Sequence, residues 1–516
     1  MPGTFKNRTT PGVYVTEFNA FPPSVVGVQT AIPGFIGYTE KAEIDGKPVF
    51  GKPIMINSLA DYEQIFGGAY KTIYDIMPAP ANSSNWDFTV SDVNYNLAPT
   101  QQSRFNLYYS LRLFYDNGGG TCYVVSVGAY SNAGVEEPKL QDGLAAMREQ
   151  VGPTMLVAPD AVLLRNSSDF AKVAKKMLQQ SMELQDRVAV LDVYGTETLT
   201  QQNLNTQLNT VIEQFHTDVG SVGLSYGMGY FPFLNASVVG SSDINYTNFN
   251  PDQMAGSPPD ETELQKLLRE VASSLYADQP AKRDAVYGYI DEITNPEADV
   301  TTVNQNLTNA LPPYQQWQNV IATKLNVLPP SGAMAGVFTY NDLTRGVWNA
   351  PANIVLASVV SPTVNLNDEQ QGNLNVPLDG KAVDVIRYFV GRGAVVWGAR
   401  TLDGNSNDWR YIQVRRTIVY VEQSIKNALN PFVFAANDGQ TWTTVISMVS
   451  NFLEGLWTQG GLMGDKASDA YDVQCGLGST MTPTDILQGY MIVQVMLQLI
   501  RPAEFIELTF KQKMGN

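Results

Sequence analysis

The sequence predicts a mixed α/β (α+β) protein, and three observations carry that reading. Short unbroken apolar runs, "TMLVA" (154–158) and "RVAVLDVY" (187–194), have the length and composition of strands buried on both faces. Helical patterns alternate with them over 151–240, the signature of a parallel sheet with right-handed crossovers. The C-terminal third carries long apolar stripes at three- and four-residue spacing, the signature of amphipathic helices. At 516 residues there is room for two to four domains.

Taken in order, "VYVTEF" (13–18) follows a Thr-Pro-Gly turn and alternates like a half-buried strand. After "TMLVA", Ser167 and Ser168 offer an N-cap to a helix with Phe170, Val173, Met177 and Leu178 on one side. A polar helix at about 200–215 follows "RVAVLDVY". Residues 241–330 are rich in Pro, Asn and acids. One helix there has Asp260 as N-cap, Glu261 and Glu263 in its first turn, and Leu264, Leu267, Leu268, Val271 and Leu275 as its stripe. "VLPPSG" (327–332) reads as a boundary. One late helix places Val414, Ile418, Val421, Ile425 and Leu429 on a face. Another starts near Asp438 and carries Trp442, Val445, Ile446, Val449, Leu453 and Leu456. At the end, Ile506, Leu508 and Phe510 alternate with Glu507, Thr509 and Lys511 as a one-sided strand. Both ends therefore read as short strands that need an external partner to be ordered.

Charge excludes some functions. A net charge of −17 argues against general nucleic-acid binding, which needs a basic face. Residues 241–300 hold twelve Asp/Glu against four Lys/Arg, so this stretch reads as a solvated outer surface. The start "MPGTFKNRTTPG" has no apolar leader core, and "MIVQVMLQLI" is too short and too polar to span a bilayer. Direct membrane insertion is not expected. Cys122 and Cys475 fit no metal spacing and read as free thiols of a protein made in the cytoplasm.

No catalytic constellation emerges. His216 is the single histidine and there is no G-x-S-x-G elbow, so it reads as a capping or surface residue. "GKPVFGKP" (46–53) approaches phosphate-loop spacing, but Pro53 stands where a hydroxyl must hold Mg²⁺ and Pro48 removes an N–H; it reads as a hairpin. "DNGGGTCYVV" (116–125) places its glycines before a strand, not between a strand and a helix, and reads as a tight turn. "DGNSND" (403–408) has Asp408 where a calcium loop needs Gly and reads as a surface turn. No cofactor and no metal are expected. The window 381–416 is different: it gathers Lys381, Arg387, Arg392, Arg400, Arg410, Arg415 and Arg416 against Asp384, Asp403 and Asp408. Within it "GRGAVVWGAR" reads as a short buried strand with arginines at its ends.

At this point the chain resembles contractile tail sheath proteins. "TPGVYVTEF" with "PPSVVGVQTAIPGFIGYT", then "LADYEQIFGG" (59–68), "LYYSLRLFYDNGGGTCYVVSV" (107–127) and "PPSGAMAGVFTYNDLTRGVWNAPAN" (329–353), resemble successive family blocks. "GRGAVVWGARTL", "WRYIQVRR", "FLEGLWTQGGL" and "RPAEFIELTF" resemble its C-terminal domain. The wording is most similar to sheaths of phage-tail-like extracellular contractile injection systems; the tail sheath of a contractile bacteriophage is the alternative. An α/β hydrolase-like enzyme is the rival of a different class.

The resemblance implies a structural protein, not an enzyme. It implies a discontinuous inner sheath-core domain (21–100 plus 335–502), an inserted subtilisin-like outer α/β domain (101–334), and terminal β-arms (1–20 and 503–516). Its implied partners are itself, in hexameric rings stacked helically, an inner tube protein, and baseplate and cap proteins. The arms would exchange strands with neighbours through Val13, Tyr14, Val15 and Phe18 at one end and Phe505, Ile506, Leu508 and Phe510 at the other. Arg400, Arg410, Arg415, Arg416, Glu422 and Lys426 are candidates for contact with a neighbouring subunit or the tube. Arginine's planar fork suits carboxylate pairing, so bracing their own domain is an equally open role for the four arginines.

Overall fold

The computed structural model describes residues 24–80, 83, 85–100, 104–255 and 261–507. Its main sheet has eight strands. These are Pro33–Thr39 (β1), Ile54–Ile56 (β2), Cys122–Ala129 (β3), Met155–Val157 (β4), Val188–Asp192 (β5), Gly227–Phe231 (β6), Asp384–Phe389 (β7) and Gly393–Val396 (β8). Their spatial order is β8-β7-β6-β5-β4-β1-β3-β2. The six central strands run parallel and the two outer pairs, β7–β8 and β2–β3, are antiparallel. β1 and β5 are buried along their whole lengths because a strand lies on each side and helices cover both faces. Alternate side chains feed two cores. Phe35, Val124 and Val157 point to one; Ile36, Val125 and Leu156 point to the other.

The helices follow from the same pattern. Leu107–Asp116 (α1) packs on the first face. Glu137–Glu149 (α2), Ser167–Leu184 (α3) and Leu204–Val219 (α4) cover the second. The cap of α3 is Asn166, one residue before the expected serines: its Oδ1 accepts from the Asp169 N–H at 2.9 Å. Glu263–Leu275 (α5) is capped by Thr262 in a reciprocal box with Gln265, so Glu261 precedes the helix, and Asp260 lies outside the described residues. Ser331–Arg345 (α6) lies against α1. Gly332 and Gly336 permit that approach. A Cβ at either would stand 2.4 Å from the backbone oxygen of Ser110 or Phe114.

Two buried carboxylates tie these helices to the sheet. Asp160, just after β4, accepts the backbone N–H groups of Tyr38, Asn106 and Leu107, and so satisfies donors at the start of α1. Asp192, at the end of β5, accepts from the Ser331 N–H at 2.7 Å and its hydroxyl at 2.6 Å, which fixes the start of α6. "VLPPSG" is therefore a clamped helix entry and not a linker.

The sheet also crosses the expected domain divisions. It draws strands from 33–56, 122–231 and 384–396, and β1 is bonded to β3 and β4 at once. Parallel pairing, not sequence adjacency, decides which segments share a core. By compactness, described residues 29–420 and 500–507 form one unit, and 24–28 with 421–499 form another. Helix Ile412–Leu429 (α7) contributes to both. The smaller unit contains Gly439–Thr458 (α8), capped by Asp438 as its sequence predicts. It also contains a two-stranded antiparallel ladder of Tyr471–Gln474 (β9) and Gln494–Leu497 (β10).

Candidate assembly site

Arg400 sits just past β8 and is 3% exposed. Its backbone N–H donates to Asp384 Oδ1 at 2.8 Å. Its guanidinium grips Glu504 in a fork: Nε to Oε1 at 2.9 Å and Nη2 to Oε2 at 2.6 Å. Tyr411 Oη donates to Oε2 at 3.2 Å and Asn375 Nδ2 to Oε1 at 2.6 Å. Burial alone would raise the Glu504 carboxyl; the bonds from Arg400 and Asn375 and the guanidinium charge hold it below its usual value. Nearby Asp384 goes the other way. Its burial pushes it well above the usual carboxylate range, against the Arg400 N–H and charge and with added repulsion from Glu504. Pro502–Phe505 thus forms one wall of a groove of about 340 Å³, whose other lining includes Asn375, Trp397, Ala399, Arg400 and Tyr411.

The other window arginines are engaged in the same unit. Arg416, at 4% exposure, makes a second fork, to Asp342 at 2.8 and 2.6 Å, and donates to the Thr30 carbonyl at 3.0 Å. Arg415 stacks on Trp409 and Tyr226, 3.7 and 4.2 Å from the ring centroids, and bonds Ser225. Arg410 is partly exposed and bonds Ser406 O and Asn407 Oδ1. Arg387 reaches Asp368, and Arg392 reaches Asn353. Bracing is therefore what Arg400, Arg415 and Arg416 do within the chain. Glu422 and Lys426 lie four residues apart on α7 and are exposed.

Of the arm candidates, Val13, Tyr14, Val15, Phe18, Leu508 and Phe510 lie outside the described residues. Phe505 and Ile506 are 75% and 79% exposed, and no strand is formed over 501–507. The β9–β10 ladder pairs Tyr471 with Leu497 and Gln474 with Gln494. Val473 is buried on its inner side and Met496 is exposed. Among the described residues this sheet has two strands, so each leaves one edge without a strand partner.

His216 differs from its sequence reading as a surface or capping residue. It is 7% exposed in the last turn of α4, with Nδ1 at 2.8 Å from Asp379 Oδ2, and Lys381 Nζ donates to its carbonyl at 2.6 Å. Burial lowers its pKa. The lone histidine braces the 379–381 turn. "GKPVFGKP" contains the second strand of a hairpin, Glu43–Ile44 with Lys47–Pro48, turning at Asp45 and Gly46 with φ of 51° and 71°. Cys122 is buried, which pushes its thiol up to about 12. Among the described residues, no group of three or more His, Cys, Asp or Glu side chains is placed to hold a metal ion.

Sequence reading missed Glu504, Asp160 and Asp192. Glu504 has no signal before its partner is known. The two aspartates each end or follow a buried strand, where a charged residue implies a buried partner.

The doubly covered α/β sheet, the two-stranded ladder and the terminal segment held by Arg400 do not by themselves define a class, because such folds host many functions. Comparison defines the class. Residues 405–513 match the phage tail sheath C-terminal domain. The tail sheath protein of Vibrio phage KVP40 is 21% identical over 220 residues, which are 42% of this chain and 31% of the relative. Three solved structures are each 27% identical over nearly all of both chains. The contracted helical sheath of the anti-feeding prophage is covered at 98% of this chain and 100% of that one, with a TM-score of 0.58. The contracted PVC sheath complex, from an extracellular contractile injection system, is covered at 99% of each, with 0.57. The sixfold-symmetrised anti-feeding prophage baseplate is covered at 98% and 100%, with 0.57. The chain is thus a homologue of tail sheath proteins, by its C-terminal domain and by a likeness to sheath structures over nearly its whole length. Over nearly its whole length it is similar to the sheath of an extracellular contractile injection system and to the helical sheath of the anti-feeding prophage.

Proposed function

We propose that copies of this chain stack as helically arranged six-membered rings around an inner tube, bounded by baseplate and cap. Contraction of the stack then drives the tube through a target envelope. The protein is made and assembled in the bacterial cytoplasm, as part of a phage-tail-like particle. The observation that carries the self-association is the β9–β10 ladder. Isolated two-stranded sheets are marginal in water, and unpaired edges are templates for an added strand. Strands donated by the arms 1–20 and 503–516 of neighbours would complete it. Main-chain bonds would supply affinity and alternate side chains specificity. Flexible links of this kind keep rigid bodies joined while they rotate, as a two-state assembly requires. The exposed pair Glu422 and Lys426 on α7, and the partly exposed Arg410, remain the candidates for tube or neighbour contact.

The test is truncation. Chains lacking residues 1–18, or residues 505–516 with Glu504 retained, are expected to fold, by circular dichroism and thermal melting, yet to form no cylinders by electron microscopy. Normal cylinders from either truncation would refute strand exchange.

A further inference from the structure

The C-terminal arm begins with a contact that belongs to its own chain. Arg501, Pro502, Ala503, Glu504 and Phe505 follow the smaller unit's ladder, and Glu504 then lies in the Arg400 groove. Pro502 has a fixed φ and no N–H to pair, so it leads the backbone into the groove without a strand partner. Beyond Glu504 the burial ends: Phe505 and Ile506 are both largely exposed.

Removing Glu504 from the groove would leave the Arg400 guanidinium, 3% exposed, without a carboxylate. An unpaired buried charge is far costlier than the pair it came from. Asp384 does not substitute. One of its oxygens already takes the Arg400 backbone N–H, the other has no hydrogen-bond partner, and burial favours its neutral form. Four bonds from three side chains converge on the single Glu504 carboxylate, against two solvent-facing apolar residues that follow it.

We propose that the Arg400 groove is the fixed anchor of the C-terminal arm: Glu504 stays in the groove of its own chain after assembly, and only residues from Phe505 onward are lent to a neighbour. This rests on reading the arms as strand donors. It bounds the geometry of the particle. Residues 505–516 are twelve in number, so at roughly 3.3–3.6 Å each they reach at most about 43 Å from the anchor.

The anchor is tested by a thiol pair, Ala399→Cys with Ala503→Cys, joined by a short bis-maleimide. Both positions line the groove, and native Cys122 and Cys475 are buried. In assembled cylinders the expected product runs as a single chain on a denaturing gel. A ladder of cross-linked chains, or no cross-link at all, would overturn the anchor. In unassembled protein, adding Glu504→Gln is expected to slow cross-linking at least tenfold, and an unchanged rate would overturn it. The second arm stands apart from the assembly reading. Absence of cylinders from the parent chain counts against the proposed function, while the unassembled cross-linking rate still decides the anchor.

Discussion

Arg400 and Glu504 form a two-pronged ion pair across 104 residues of sequence, with the arginine side chain 4% and the glutamate side chain 21% exposed. The pair joins the middle of the arginine-rich window to the start of the C-terminal arm. Replacing Arg400 with Met keeps most of its volume and strands a half-buried carboxylate. The expected loss is about 3 kcal/mol in the unfolding of the larger unit, measured by urea titration of a fluorescence signal. A loss below about 0.5 kcal/mol would make the pair a surface ornament.

Arg416 and Asp342 should be the more costly pair to break, because both side chains are 4% exposed. Asp342→Ala is expected to cost about 3–5 kcal/mol. The double variant Asp342→Ala/Arg416→Met should recover much of that loss, since the stranded charge is gone. A double-mutant cycle measures the coupling, and simple additivity would contradict the pairing.

Stability should depend on pH through Asp160 and Asp192. Burial lifts them from 3.8 to about 6 and about 7, against the hydrogen bonds they accept. A carboxyl raised in the folded state contributes stability that is full below its unfolded pKa and is lost as pH rises through the folded value. The melting temperature of the larger unit should therefore fall between pH 4 and pH 7 from these two groups and level off above. Glu504 opposes this at the acid end, because its contribution is lost as pH falls through its lowered value. Asp192→Asn should flatten the slope between about pH 4 and 7 while keeping an acceptor for Ser331. An unchanged slope, read by calorimetry, would contradict the assignment.

Gly336 should tolerate no side chain. A Cβ there would lie 2.4 Å from the Phe114 carbonyl oxygen, which is backbone and cannot step aside. Gly336→Ala is expected to cost about 1–3 kcal/mol by forcing α6 away from α1. Gly439→Ala meets nothing within 4 Å and serves as the neutral control.

Periodicity located the elements that local sequence determines. The buried strands at 155–157 and 188–192, the α8 cap at Asp438 and the strand at 393–396 all appear where pattern places them. What pattern could not supply is long-range pairing. The neighbours of β1 are strands that begin 89 and 122 residues after it, so divisions drawn at 100 and 334 cut through one sheet. The arginine window was visible as a concentration of charge, but its partners Asp342 and Glu504 lie on either side of it in the chain. His216 looked like a helix-end surface residue because nothing local announces Asp379.

The most direct measurement is negative-stain electron microscopy of the purified full-length chain at rising concentration. Wide, hollow, striated cylinders with sixfold end views are the expected result. A protein that stays monomeric at high concentration, by microscopy and by light scattering, would contradict the sheath account.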